Sequence, residues 1–330
     1  MSGLDVVCMG NALVDVLSQV DDGVLTRHGL AKGSMTLIDL DQADQLALDM
    51  PNPITSAGGS SANTAAVIAM MGGASGYIGR VFDDDLGRAF ASALGDLGVA
   101  FDTEYATSGP RTGRSLVLVT PDAQRTMNTY LGAASALHPS DVEDSLMQDA
   151  SILYLEGYLW DQPDAKDAIR KAIELATGHG LRISLTLSDG FCVEGHRSEF
   201  VDLIDNHVDI LFANEAEAMT LTGAESGLEA AEVLQGRCDV VAVTLGEHGS
   251  LLSTPDEMHK IEPTAVSPVV DTTGAGDCYA AGVLLGLARN LPLPVCGAAG
   301  SQAASAALIN VGARPQGAAA EPLRTILPVG

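Results

Sequence analysis

The stretch Val270-Asp271-Thr272-Thr273-Gly274-Ala275-Gly276-Asp277-Cys278-Tyr279-Ala280 decides how the rest of the chain is read. Two small hydroxylated residues and two glycines lead into a carboxylate, and an apolar, helix-like run, Ala280–Ala288, follows at once. Glycines let a backbone turn tightly with its N–H groups facing one point, and the following helix directs its positive end there. The pattern suits phosphate chemistry, with Asp277 where an acceptor hydroxyl would meet the phosphate. An acidic residue near a helix N-terminus is also common for capping alone, so the remaining chain has to choose between the two.

Outward from that loop, short apolar runs alternate with longer helical patterns. Val6–Met9, Tyr77–Gly79, Ile152–Leu155, Arg182–Thr186, Asp209–Phe212 and Val240–Thr244 read as strands. Ala62–Met71, Asp83–Leu97, Ala165–Thr177, Ser198–Asp205, Ala216–Leu221, Leu228–Leu234, Ala275–Arg289 and Val295–Asn310 read as helices. This alternation predicts an α/β fold whose central, mostly parallel sheet carries helices on both faces. Leu13–Val20, Met35–Ile38 and Ser115–Thr120 mix apolar and polar residues and read as strands of a small projecting sheet. They predict a discontinuous lid from about 11–20, 34–39 and 114–130. With no internal repeat or low-complexity linker, 1–330 reads as a single domain long enough to bury its own core.

The formal net charge of −26 argues against polymeric nucleic acid or an anionic membrane as partner, because both need a basic footprint. A small anion can still be held by backbone N–H groups, one or two arginines and a metal ion. The five cysteines are scattered without metal-ligand spacing, which fits a reducing compartment. Met1-Ser2-Gly3-Leu4-Asp5 enters a strand-like run without a basic flank or long apolar segment, so a cytoplasmic protein is expected. A P-loop motif and a G-x-G-x-x-G after the first strand are both missing, which disfavours those nucleotide-binding classes.

Small-residue loops instead recur at strand ends and helix starts, where open α/β sheets bind ligands. They are Gly10–Asp15, Gly58–Asn63, Gly79–Gly87, Asn214–Glu217, Thr244–Ser250 and Asp271–Asp277. In combination they resemble the ribokinase-like (pfkB) carbohydrate kinase family. The glycine-glycine loop through Gly87 is similar to that family's first signature, and Asp271-Thr272-Thr273-Gly274-Ala275-Gly276-Asp277 to its second.

The resemblance implies a ribokinase-like fold and roles for particular residues. Asp277 is similar to the catalytic base, and Gly274, Ala275 and Gly276 to the anion hole for the transferring phosphoryl group. Asp15, Asn11, Gly58, Gly59 and Asn63 match positions on the acceptor side, and Arg125 is a candidate to reach it. Asn214, Thr244, Gly246, Gly249 and Asn310 fall on the nucleotide side, with Glu217 at the metal. The cofactors implied are ATP as phosphoryl donor, Mg2+, and a monovalent cation near Asp271 and Thr273. Plainer readings compete for several of these. Asp15 could be an exposed lid residue, Asn63 a helix cap, Glu217 a helix-surface charge, and the glycines of Thr244–Ser250 a hairpin turn.

For the acceptor, Gly10-Asn11-Ala12-Leu13-Val14-Asp15 and Val24–Leu30 resemble the adenosine kinase branch of the family. A nucleoside is therefore the leading expectation. A sugar kinase acting on ribose, fructose or a related sugar acid is the alternative, and a non-catalytic sugar or nucleoside sensor the remote one. A nucleoside base needs an aromatic or large apolar surface, and Phe82, Phe101, Tyr105, Tyr130, Tyr158 and Trp160 lie nearest the motif loops. The lid strands also offer edges through which a homodimer could form.

Overall fold

The computed structural model describes residues 3–122 and 124–327; Met1-Ser2, Ala123 and residues 328–330 lie outside them. Among the described residues there are thirteen strands. In chain order they are β1 (Val6–Met9), β2 (Leu13–Gln19), β3 (Met35–Leu37), β4 (Ile54–Gly58), β5 (Ser75–Ile78), β6 (Gly113–Val119) and β7 (Arg125–Tyr130). There follow β8 (Ile152–Glu156), β9 (Arg182–Thr186), β10 (Ile210–Asn214), β11 (Val240–Thr244), β12 (Ser250–Ser253) and β13 (Met258–Ile261).

The main sheet has the order β13-β12-β11-β10-β9-β8-β1-β5. Strands β5, β1, β8, β9, β10 and β11 run parallel, while β12 and β13 return antiparallel at one edge. The parallel strands β1, β5 and β8 are buried along their whole length, as continuous apolar runs covered on both faces must be. Successive side chains point to opposite faces. Val6, Cys8, Tyr154 and Phe212 therefore pack with helices Ser60–Met70, Ala275–Ala288 and Leu293–Leu308. Val7, Met9, Leu153, Leu155 and Leu185 pack on the other side with helices Pro163–His179, Gly190–His207, Glu215–Thr222 and Gly227–Leu234. The fold is ribokinase-like α/β, as the alternation of runs implied.

The projecting sheet has the order β3-β7-β6-β2-β4. Its strands fall within the three expected lid segments except β4, which lies outside them and pairs antiparallel with β2. Ile54-Thr55-Ser56-Ala57-Gly58 carries little apolar pattern of its own, and it is the partner strand that makes it extended. One face of this sheet presents Val16, Leu116 and Leu118 to Val24, Leu25, Ala43 and Leu46 of two covering helices, Asp22–His28 and Leu40–Leu48. The register puts Asp15, Leu17, Ser115, Val117, Met127 and Thr129 on the opposite face. Leu37, opposite Thr129, joins them from β3. That second face carries Asp15 toward the loops at the end of the main sheet.

Candidate active site

The catalytic-loop stretch adopts the geometry its glycines permit. Gly274 has φ 74°, and a Cβ there would overlap the Ala313 carbonyl oxygen, so only glycine fits the turn. Helix Ala275–Ala288 starts at once, and no side chain caps its first turn. Ala275 N donates to Thr272 O at 3.3 Å, which leaves the N–H groups of Gly276 and Asp277 to an anion. Gly59 makes the facing turn at φ 95°, pressed against the Asn11 carbonyl, and helix Ser60–Met70 follows it.

Between the two turns Asp277 is held from across the fold. Ser60 Oγ donates to its Oδ1 at 2.6 Å and Asn63 Nδ2 to its Oδ2 at 2.9 Å. Burial in surrounding protein pushes the Asp277 carboxyl up to about 6, against those two donors and the nearby Arg314 charge. Asp15, on the lid, is also pushed up to about 6, first by burial and further by the Asp277 charge, with Arg314 and Arg125 opposing. Gly58 leaves no room for a side chain beside the Asp15 carboxyl. Asp15, Gly58, Gly59, Asn63 and Asp277 are thus gathered into one pocket. Both carboxylates can change charge near neutral pH.

Two acceptor-side candidates also hold partners within the fold. Asn11 is buried, and its Nδ2 donates to Glu156 Oε1 at 3.0 Å, so that carboxylate holds one N–H of its amide. Glu156 also accepts from Ser61 N at 2.9 Å, which ties the end of β8 to the start of helix Ser60–Met70. Arg125 pairs with Asp271, Nη1 to Oδ2 at 2.7 Å, joining lid strand β7 to this loop, and its charge also reaches Asp15. Asp271 accepts in addition from Thr273 N, Thr273 Oγ1 and Gly312 N. A monovalent cation near Asp271 and Thr273 would meet a carboxylate already saturated with donors and neutralised by a guanidinium, so the residues do not fit that cation.

On the other side of the loop the residues are built locally. Asn214 ends β10 and caps the next helix: Glu217 N donates to its Oδ1 at 2.9 Å, and its own Nδ2 donates to Glu217 Oε1 at 2.6 Å. Glu217 is buried, and burial pushes it up to about 7, with the Asp189 charge adding to the shift. The residue is therefore not a helix-surface charge. Thr244 stands directly opposite Asn214 on the neighbouring strand β11. Gly246 and Gly249 shape the turn from β11 into antiparallel β12, where Leu245 N donates to Gly249 O at 2.8 Å. Asn310 lies just past helix Leu293–Leu308 and donates to Ala306 O. Val269, Val270, Ile309 and Val311 around it are exposed.

A gap between two carboxyl-edge loops, an uncapped helix N-terminus and a poised carboxylate is a phosphoryl-transfer arrangement, and comparison with known proteins agrees. Residues 30–318 match the family described as pfkB family carbohydrate kinase.

The chain belongs to the pfkB kinase family.

This pfkB kinase is 43% identical to the adenosine kinase from Sinorhizobium meliloti, with TM-score 0.90 over 98% of this chain and 99% of that one. It is 40% identical to a probable sugar kinase protein from Rhizobium etli CFN 42, again with TM-score 0.90 over 98% and 99% of the two chains. It is 28% identical to the probable fructokinase-6, chloroplastic, of Arabidopsis thaliana over 87% of this chain and 71% of that protein. The chain is thus an ATP-dependent phosphotransferase by family. Among the described residues, no helix is long and apolar enough to cross a membrane.

Three residues of the kinase's pocket went unnoticed in the sequence. Ser60 lay inside a quoted loop, and a hydroxyl beside two glycines was its only signal. Glu156 ends an otherwise apolar strand, where a buried carboxylate is unusual. Arg314 sits in the Pro- and Gly-rich tail, and nothing local marks it.

Proposed function

We propose that this kinase transfers the γ-phosphoryl group of ATP to the primary hydroxyl of a nucleoside, with adenosine as the leading acceptor. The observation that carries the reading is Asp277, held between Ser60 and Asn63 at the start of an uncapped helix, beneath an aliphatic lid face. Asp277 accepts the acceptor's proton, the acceptor oxygen bonds to the γ-phosphorus, and the bond from that phosphorus to the β-phosphate bridge breaks to leave ADP. The N–H groups of Gly274, Gly276 and Asp277 receive the charge that develops on the phosphoryl oxygens.

The lid supports a nucleoside over a free sugar. Leu17, Leu37, Val117 and Met127 share the face that carries Asp15, and together they form an apolar surface suited to a base. Three of the six aromatic candidates are engaged elsewhere. Phe101 packs on Tyr77 and Phe90, Trp160 on Phe200, and Tyr130 lies against the helix-covered face. Across the loop, Val269, Val270, Ile309 and Val311 offer the adenine of ATP a similar aliphatic surface.

Among the described residues no group of three or more His, Cys, Asp or Glu could cage a metal. A hard cation that keeps most of its water needs only one or two protein oxygens, and Asn214 with Glu217 fits that sparse demand. Mg2+ held there would neutralise phosphate charge during transfer. We read the projecting sheet as the lid of a single kinase domain over 1–330, closing to exclude water that would otherwise take the phosphoryl group. The unpaired edges of β3 and β4, with Met35 and Ile54 exposed, are where two copies would pair. Five unpaired, buried cysteines fit a cytoplasmic setting.

The test is ADP release with ATP and Mg2+ across adenosine, inosine, guanosine, ribose and fructose. Adenosine should exceed both sugars in kcat/KM by about 10²-fold or more, the effect of an extra buried base. A preference for either sugar would replace the nucleoside reading with the sugar-kinase one.

A further inference from the structure

Arg314 reaches the acceptor side from the C-terminal segment, and its two bonds are unusually placed. Its Nη2 donates to the Ala57 carbonyl, next to the end of lid strand β4, at 2.6 Å. Its Nε donates to Asn63 Oδ1, inside helix Ser60–Met70, at 2.8 Å. The guanidinium therefore bridges the turn formed by Gly58, Gly59 and Ser60, where the lid joins the main body. The segment bearing it is itself fastened to the catalytic loop. Gly312 N donates to Asp271 Oδ2 at 2.7 Å, and the Ala313 carbonyl backs against Gly274.

We propose that Arg314 is a positioning residue, fixing the Asn63 amide so that it presents N–H to Asp277 and clamping the turn that carries Ser60. An asparagine amide can face either way. With Oδ1 held by a guanidinium that can only donate, Nδ2 alone is left for the Asp277 carboxylate. The reversed amide would set carbonyl against carboxylate on one side and NH2 against guanidinium on the other, repulsive at both ends. Arg314 thus acts on the reaction through Asn63 and Asp277.

Electrostatics points the same way. The titratable groups facing Arg314 are Asp15 from β2, Asp277 and Cys278 from helix Ala275–Ala288, and Tyr77 from β5. Arg125 from β7 also faces Asp15, and Tyr154 from β8 faces Asp277. Two carboxylates share this guanidinium, and its charge holds both below where burial alone would put them. Burial disfavours the Arg314 charge, and the same two carboxylates oppose that.

The inference rests on the reading of Asp277 as base, so Asp277→Asn is measured beside it. In the full chain, Arg314→Met and Arg314→Lys are compared with wild type for kcat, KM of each substrate, Tm, and the pH dependence of kcat/KM for the acceptor at saturating MgATP. Arg314→Met should lose about 10² in kcat at pH 7, the cost of a misplaced catalytic group, with KM for ATP little changed. Its acid limb should move up by about one pH unit, because an opposing charge has gone. Arg314→Lys, which keeps the charge but only part of the bridge, should leave the limb near wild type.

In the Asp277→Asn background, Arg314→Met should cost almost nothing further. An unmoved limb in Arg314→Met, or losses that add fully to those of Asp277→Asn, would overturn the proposal. Should Arg314→Met fail to fold, Arg314→Lys decides: full additivity with Asp277→Asn overturns the proposal, and its absence upholds it. Full activity in Asp277→Asn alone would instead remove the reading beneath it.

Discussion

The two sides of the Asp271–Asp277 loop are built in different ways. On the acceptor side, Asp277 is bonded to Ser60 and Asn63, which are 217 and 214 residues away, and Asn63 to Arg314, 251 residues away. On the donor side, Asn214 and Glu217 bond each other at a separation of 3, and Asn310 bonds the helix turn just before it. The proposed acceptor side is assembled by contacts between distant parts of the chain. The donor side is a set of locally stable caps and turns that the sheet edge lines up. The chemistry needs a carboxylate placed within a few tenths of an ångström, whereas triphosphate binding spreads over many backbone contacts. The difference in construction follows that difference in demand.

Substitutions can break or sharpen this contrast. The largest effect belongs to Asp277→Asn, which should cut kcat by about 10²–10⁴, the range for a lost general base, while equilibrium binding of ATP stays near wild type. An equal loss of ATP affinity would mean that the two sides are one network. Glu217→Gln comes next. Glutamine can accept only one of the two N–H bonds that Asn214 gives, and the metal-attracting charge is gone. The Mg2+ concentration for half-maximal rate should rise about 10-fold, with KM for the acceptor unchanged. A shifted acceptor KM would show long-range coupling where the structure has local bonds. Asn310→Ala should have the smallest effect, raising KM for ATP by about 2- to 5-fold in initial-rate measurements, as expected for one marginal contact.

The same contrast explains what the sequence could say. The donor-side residues and the catalytic loop were legible because their geometry is set within a few residues. Gly274 must turn left-handed before a helix, and Asn214 with Glu217 is a capping box written as N-x-x-E. The main-sheet strands were legible because both faces are buried, so whole runs are apolar. Strand β4 was not, since only Ile54 and Thr55 favour an extended chain, and Ser56, Ala57 and Gly58 extend through their pairing with β2. Helix Gly190–His207 began earlier than its pattern suggested, because an exposed Phe191 and a break at His196 blur the period. Glu156 and Arg314 matter through partners 95 to 257 residues away, and no local pattern reports such contacts. Asn11 combines the two. Its motif loop is visible in the sequence, whereas its bond to Glu156, 145 residues away, is not.

The central claim is that burial poises the Asp277 carboxylate as base on an acceptor side assembled from distant parts of the chain. The direct measurement is kcat/KM for the acceptor against pH, at saturating MgATP so that the titration of free nucleotide is removed. Asp277 acts as carboxylate, so the rate should fall as protons are added through its raised value. Because Asp15 and Asp277 repel each other, the limb belongs to the pair. The account predicts an acid limb with its midpoint near pH 6, where burial pushes both carboxyls to about 6. A rate that stays flat until about pH 4.5, as an ordinary exposed carboxylate would allow, contradicts it.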